Sequence, residues 1–462
     1  MRWLVLVVLC AVTACDGGAS GRDRSDPDAR DPGAPDASAA TYHRDVRPIF
    51  ERHCLSCHVE GGTTPFSMEY VPAEWPDDGR PPWASLAVAS VESGSMPPWM
   101  PDEDCHPIAD ARVMSESERA LLRDWTEAGF PAGDPADFVA PELAVPRRSS
   151  NPDVIVRAPE AYQPNRDRPD DYRCFVIDLD EELGAEDEPR DHWMTGFQLE
   201  PDVVPIVHHA ILYRVGPSRA ARLAEFEAED EDPGYTCFGT TRAGSEETMA
   251  AWAPGQLPEH YPDGVARRIE AGSKLVLQVH YNVMHLPADE PVPADRTGVA
   301  LWLKDGPEPP SRQLVTIPLP VTRFSIEAGD PNAWVEQEVN LPDLPIPIPV
   351  YGVMGHMHEL GTSIRADVVR GEDASCLMNL PVWDFRWQQS YIFPEDQRPD
   401  ARGVSGIRVR CEWDNSPANQ PIVNGVQLEP RTVGWGDGTR DEMCLVYIMA
   451  LVPPAIIPPG FF

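Results

Sequence analysis

Proline occurs 52 times in these 462 residues and is spread along the chain, so few windows are long enough for an uninterrupted helix. Each proline removes a backbone donor and fixes φ, which breaks helix interiors and central strands but suits turns and connections. A chain punctuated in this way is expected to be mainly β, with long connections, rather than a helical bundle. Proline together with the 33 glycines still falls short of the roughly 25–30% typical of low-complexity chains. At about 100–200 residues per domain the length allows two to four domains, each able to bury a core. The 38 Lys plus Arg against 75 Asp plus Glu give a formal charge of −37. Such a surface repels phosphate backbones, so nucleic acid is not an expected partner.

The N-terminus has the layout of an export signal: Arg2, a short apolar run, then small residues up to Cys15. The run is shorter than the roughly 20 apolar residues that span a bilayer. Val12-Thr13-Ala14-Cys15 resembles the lipobox of bacterial lipoproteins, which implies removal of residues 1–14 and acylation of Cys15; an ordinary signal peptide with a coincidental Cys is the alternative. Residues 16–40 are all Asp, Gly, Ala, Ser, Arg or Pro, with nothing to anchor a core, so 15–40 reads as a disordered tether. The expectation is an exported lipoprotein held to a lipid membrane by its N-terminus, on the periplasmic face or at the outer membrane or cell surface.

Setting aside Cys10 and Cys15, eight cysteines remain. Cys54 and Cys57 belong to a CxxCH motif, and the other six, Cys105, Cys174, Cys237, Cys376, Cys411 and Cys444, allow up to three disulfides in an oxidising compartment. In Cys54-Leu55-Ser56-Cys57-His58 two thiols one helical turn apart suit thioether bonds to a porphyrin, with His58 as iron ligand. Zinc would want a second ligand pair at similar spacing, and a redox dithiol would want a βαβ context; neither is evident. Residues 41–136 resemble the class I cytochrome c family. Asp45–His53 reads as the short first helix, and Ser115-Glu116-Ser117-Glu118 as a capping box ahead of Leu121, Leu122 and Trp125, with Gly129 as the stop. The resemblance implies a covalent haem c with Met96, in the loop Gly94–Trp99, as sixth ligand; Met100 and His106 compete for that place.

Residues 137–170, rich in Pro, Arg and Asp, read as a linker. Beyond them come strand-like runs, Val203–Val215, Lys274–Val283, Val350–Leu360 and Asp441–Leu451, separated by long Pro/Gly connections that suggest β-sandwiches. Each run offers a metal-ligand type: His208 and His209, His280, His356 and His358, and Met443. Residues i and i+2 share a strand face, so His356 and His358 can grip one ion. The adjacent His208 and His209 would point to opposite faces unless the strand bulges or twists. Val276, Gln278 and His280 share a face, as do Met443, Leu445, Tyr447 and Met449, and the second set could also be plain core.

The ordered set HH, QVHY, HxH and DEMC resembles the copper type II, ascorbate-dependent monooxygenases over roughly 171–462. The resemblance implies two jelly-roll β-sandwich domains, 171–310 and 311–462, each with one copper. The electron-transfer copper would be held by His208, His209 and His280, and the oxygen-binding copper by His356, His358 and Met443. It also implies a Cys411–Cys444 disulfide; Cys174 with Cys237 is a reasonable second bridge, and nothing in the sequence pairs Cys105 with Cys376. Imidazole suits both copper oxidation states and a thioether favours Cu(I), whereas zinc seldom accepts a thioether. The implied activity is hydroxylation of a C–H bond with O2, with haem c in place of ascorbate as the built-in donor and an unidentified external reductant behind it. Tyr447 and Gln278 are candidates to line the path between the sites. Peptide-hydroxylating members carry an Arg and an Asn where this chain has Met354 and Leu445, so the expected substrate is small and uncharged. A non-catalytic copper and haem electron-transfer or copper-binding lipoprotein is the alternative. The remaining histidines, His43, His53, His106, His192, His260 and His285, read as surface or loop residues.

Overall fold

The structure, a computed structural model, describes residues 39–462 except 61–63, 65, 70–82, 110, 144–147, 169–170, 186, 245, 284–285, 288, 305, 307, 343, 424–425, 437, 439 and 458–462. The export signal, Cys15, nearly all of the tether and His285 lie outside the described residues. The period-2 alternation expected of the strands is realised. In Lys274–Tyr281, Leu275, Leu277, Val279 and Tyr281 enter a large core, which leaves Gln278 and His280 on the opposite face.

The chain is mainly β, and one sheet runs through both halves of it. Its order is Val154–Arg157, Gly298–Leu303, His192–Glu200, Val265–Ile269, Arg312–Pro320, Leu445–Val452, Val350–His356 and Ser390–Ile392, with the short Glu259–His260 beside His192–Glu200. The halves meet at a parallel contact of two residue pairs, Arg312 with Val265 and Gln313 with Ala266. A five-stranded sheet (Tyr235–Thr236, Asp171–Ile177, Lys274–Tyr281, Val207–Val215, Glu246–Trp252) covers the N-terminal half. A four-stranded sheet (Ala333–Asn340, Gly406–Trp413, Gly361–Arg370, Asp373–Leu380) covers the C-terminal half. Each pair of layers encloses its own apolar core, so the result is two β-sandwiches built on a shared sheet.

Two expectations need correction. Val154–Arg157, inside the expected 137–170 linker, is the edge strand of the long sheet, and Tyr162 bridges to Asp295 and is buried. The N-terminal sandwich therefore begins before residue 171; a four-residue edge strand carries too little alternation to stand out among Pro, Arg and Asp. His43 and His192 are buried rather than superficial, and His192 Nε2 pairs with Asp180 Oδ1 at 2.8 Å.

Ahead of the sandwiches the described residues form three α-helices, α1 (Arg47–His53), α2 (Ala84–Glu92) and α3 (Glu116–Glu127). The expected capping box is present: Ser115 Oγ accepts from Glu118 N and Glu118 accepts from Ser115 N. Gly129 takes φ +79° just past the end of α3, a conformation that glycine adopts without Cβ strain. Phe50 of α1 meets Trp125 of α3 edge to face at 6.2 Å, and Arg52 and His53 both bond Glu118. The segment from Trp99 to Ala109 then leaves this helical core and is sewn to the C-terminal sandwich. Asp102 N donates to Asn379 O, Asn379 Nδ2 to Asp102 Oδ2, and Ala109 N to Ile392 O. Met100 joins the sandwich core, and Cys105 bonds Cys376.

The other two disulfides are Cys174–Cys237 and Cys411–Cys444. Of the three, the 105–376 bridge closes the longest loop, spanning 271 residues. Replacing both of its cysteines by serine is expected to cost about 2–4 kcal/mol in denaturant unfolding. Non-reducing peptide mapping of the parent should recover a linked Cys105–Cys376 fragment, and recovery of two free thiols there would contradict the pairing.

Candidate metal centre

The strand Val207–Val215 pairs with Lys274–Tyr281 so that Val207 faces Tyr281 while His209 faces His280, which makes His208 the extra residue of a bulge. That irregularity lets two adjacent histidines serve one point. His208 Nδ1 lies 3.2 Å from His209 Nδ1 and 3.1 Å from His280 Nδ1, and the last pair is 3.4 Å apart. The three form a group able to hold a metal ion. The centre of that triangle is about 1.9 Å from each nitrogen, close to the ~2.0 Å of a metal–imidazole bond. Tyr172 stacks flat on His280 at 4.0 Å and fixes its ring. Burial, reinforced by His280, His208 and His356, holds the His209 imidazole well below its ordinary pKa, so it stays neutral and able to ligate.

The second set stands where Val350–His356 runs antiparallel to Leu445–Val452, with His356 opposite Leu445. The expectation that His356 and His358 share a strand face is not met, because the strand ends at His356. The His358 N–H goes to Glu442 Oε2 at 3.0 Å instead of to a ladder partner, and Leu360 N donates to Glu442 Oε1 at 2.7 Å. The turn still brings the two rings to 5.1 Å between centroids. His356 Nδ1 bonds Gln388 Oε1, and His358 Nδ1 bonds the Asp441 carbonyl at 3.0 Å. Rings held through Nδ1 in this way are oriented for ligation by Nε2. Burial, with His358 adding to it, pushes the His356 pKa down to about 4. Met443 lies before the strand Leu445–Val452, is 8% exposed, and is flanked by Glu442 and the disulfide-bonded Cys444.

One cavity of about 320 Å³ is lined by His208, His209, His356, His358 and Met443 together. Phe385 stands between the sets, its ring 6.4 Å from that of His208 and 6.1 Å from that of His358, so those two imidazoles are no farther apart than 12.5 Å. Tyr447 and Gln278 also line this cavity, although the Gln278 amide is turned toward Cys237 Sγ and the Thr240 carbonyl at 3.4 Å each. Met354 and Leu445 are in the wall as well. Three imidazoles suit copper or zinc, and a thioether beside two imidazoles favours copper.

Cys54 and Cys57 are thiols, and the His58 N–H bonds the Cys54 carbonyl at 3.0 Å, which closes one turn. Burial pushes the Cys54 thiol up to about 12 and raises Cys57 as well, against the lowered values of reactive dithiols. His58 Nδ1 is 3.3 Å from the Phe66 carbonyl. Met96 is half-buried on the loop after α2. Its two competitors are engaged elsewhere: Met100 Sδ accepts from Asp384 N at 3.2 Å, and His106 bonds the Gln397 carbonyl and packs on Phe393. Cys57 lies against Gly255, where any Cβ would collide with its sulfur, and Arg112 Nη2 donates to the Gly255 carbonyl at 2.6 Å.

Residues 334–455 match the family described as copper type II ascorbate-dependent monooxygenase, C-terminal domain. The matched region holds His356, His358 and Met443, and it supports a copper-dependent oxidoreductase of monooxygenase type at that level. No curated protein matches the chain. A chain from the atomic structure of Sulfolobus Turreted Icosahedral Virus is similar at 10% identity over 66% of this chain and 94% of that chain, with a TM-score of 0.20 that carries no argument.

Glu442, Gln388 and Phe385 were not singled out from the sequence. Glu442 stands in the DEMC run beside the sulfur-bearing Met443 and Cys444; the other two sit in a loop with no periodic signal. Glu442→Gln turns one carboxylate oxygen into a donor, set either against the His358 N–H and the Trp413 indole N–H or against the Leu360 N–H. It is expected to weaken copper binding at the His356 set by about 10–100-fold, the usual effect of losing an outer hydrogen-bonding partner. Competitive metal titration checks this, with the three-histidine set as internal control.

Proposed function

We propose that this chain is a copper-dependent monooxygenase that hydroxylates a C–H bond of a small, uncharged, largely apolar substrate. In this reading electrons enter through a haem c held by Cys54, Cys57, His58 and Met96, and the protein is an exported lipoprotein anchored at Cys15. The observation that carries the reading is that a three-imidazole group presents His208 and His209 to one cavity, which His356, His358 and Met443 also line. Copper at these positions would supply one-electron redox chemistry toward O2.

The chain's own residues do the rest. Burial keeps His209 and His356 unprotonated at neutral pH, so their lone pairs remain available. Gln388 and the Asp441 carbonyl fix the rings of His356 and His358. Met354, Leu445 and Phe385 give the cavity an apolar wall that cannot compensate a buried carboxylate, which favours a neutral substrate. Tyr447 and Gln278 line the same cavity. Overall, R–H, O2, two electrons and two protons yield R–OH and water.

Haem attachment is supported by two thiols that stay unpaired with each other while the six other described cysteines form disulfides. The His58 ring, held through Nδ1, is oriented as an axial ligand would be. Electron entry is supported by the contact of Cys57 with Gly255, whose neighbours Ala253 and Gln256 line the metal cavity. Three disulfides favour an oxidising compartment.

Two experiments test the reading. Small molecules incubated with the reduced protein under labelled dioxygen should give a product carrying one labelled oxygen by mass spectrometry; reduction of O2 without any oxygenated product would favour a non-catalytic electron carrier. In stopped-flow, the reduced haem of the copper-loaded protein should be reoxidised faster than that of His208→Ala. Equal rates would end the idea of internal donation.

A further inference from the structure

The metal cavity has a second, polar end. Val265, Arg267 and Ile269 share one face of their strand, so the Arg267 guanidinium is carried into the interior of the N-terminal sandwich and is 4% exposed. Its Nε donates to the Tyr261 hydroxyl at 3.0 Å, and Nη1 reaches the Thr248 carbonyl at 3.4 Å and lies 3.9 Å from Glu247 Oε1. Nη2 makes no hydrogen bond among the described residues, although Arg267 lines the cavity. Glu259 lines it too. A buried cation and a half-buried carboxylate on one largely apolar wall are costly unless something completes their hydrogen bonds. Neither belongs to the histidine sets.

The sheet register gives the separation. His356 faces Leu445, Met354 faces Tyr447, and Met449 faces Thr316; all six line the cavity. Leu445 to Met449 is four residues, about 13 Å at ~3.3 Å per residue. Thr316 stands on the strand whose Gln313 pairs with Ala266, the residue before Arg267. The cavity therefore runs along the shared sheet from the His356 end, past apolar side chains, to Arg267 and Glu259.

The charges at the polar end balance. Glu247 accepts two hydrogen bonds from Arg214, Glu270 lies 3.9 Å from Arg214, and Arg398 stands over the Tyr351 ring at 5.3 Å. Arg268 lies 3.8 Å from Glu270 and 2.8 Å from Asp191, so Arg214, Arg267, Arg268 and Arg398 stand with Glu247, Glu259, Glu270 and Asp191. A ligand carboxylate would meet Glu259, a ligand ammonium would meet Arg267, and a hydrocarbon would leave both unpaired and desolvated. We propose that Arg267 and Glu259 bind the head group of the substrate, and that this head is neutral and both donates and accepts hydrogen bonds, an amide or an alcohol on an elongated apolar body. The proposal deepens the monooxygenase reading and rests on it for the reacting end of the molecule.

The test uses the oxidised full-length protein, in which nothing turns over, and competition binding of four probes of one shape: 4-phenylbutanamide, 4-phenylbutanoate, 4-phenylbutylammonium and pentylbenzene. The amide is expected to bind at least about tenfold more tightly than the other three, since a site built to hydrogen-bond rejects analogues that cannot. Glu259→Gln should bring the butanoate to within about threefold of the amide by removing the like charge, and Arg267→Gln should do the same for the ammonium. If Arg267→Gln does not fold, the Glu259→Gln arm decides alone. Equal affinities for all four probes, or a butanoate penalty unchanged in Glu259→Gln, would overturn the assignment. The two readings fail separately: an amide preference without labelled product sinks only the oxygenase reading, and labelled product without the preference sinks only this one.

Discussion

A carboxylate with almost no access to water holds the C-terminal half of the site together. Glu442 accepts hydrogen bonds from the backbone of His358 and Leu360 and from the Trp413 indole, and its burial pushes its pKa up to about 7. Unpaired, such a group would cost several kcal/mol. With three donors it becomes a fixed point joining the turn after Val350–His356, the approach to Leu445–Val452 and the strand Gly406–Trp413. Met443 is the next residue, and its other neighbour, Cys444, is bonded to Cys411 on that same strand. The thioether and the two imidazoles therefore come from segments locked to one framework, although they are far apart in sequence.

The two sandwiches share a sheet, and the cavity runs along it, which is why histidines from both halves reach one space. Phe385 and Gln388 enter that space from the loop between Leu380 and Ser390. That loop and the strand Asp373–Leu380 leading into it are gripped from outside: Met100 accepts from Asp384 of the loop, while Asp102 and Asn379 exchange hydrogen bonds and Cys105 is bonded to Cys376 on the strand. The segment Trp99–Ala109, between α2 and α3, thus helps shape the cavity. Cys57 and Arg112 meanwhile touch the loop Ala253–Gln256 on the N-terminal side.

Local rules made much of this legible. The alternation of Lys274–Tyr281 placed His280 away from the core, the capping box at Ser115 marked the start of α3, and the adjacency of His208 and His209 demanded the bulge that is present. Features joined only by tertiary contact stayed hidden. The 105–376 disulfide spans 271 residues with no pattern linking its ends. The continuous sheet depends on a two-pair parallel contact. His192 is buried because Asp180 pairs with it, and α2 has too weak an amphipathic pattern to read from a single sequence. Arg267 and Glu259 look like ordinary surface charges until the strands place them inside.

The convergence of nitrogen and sulfur donors is tested most directly by X-ray absorption at the copper edge of the reduced, copper-loaded protein. The expected spectrum contains imidazole nitrogen scattering together with a sulfur contribution that vanishes in Met443→Ile while the nitrogen scattering persists. A parent spectrum without sulfur, or a sulfur signal unchanged by that substitution, would contradict the assignment of Met443 to the site.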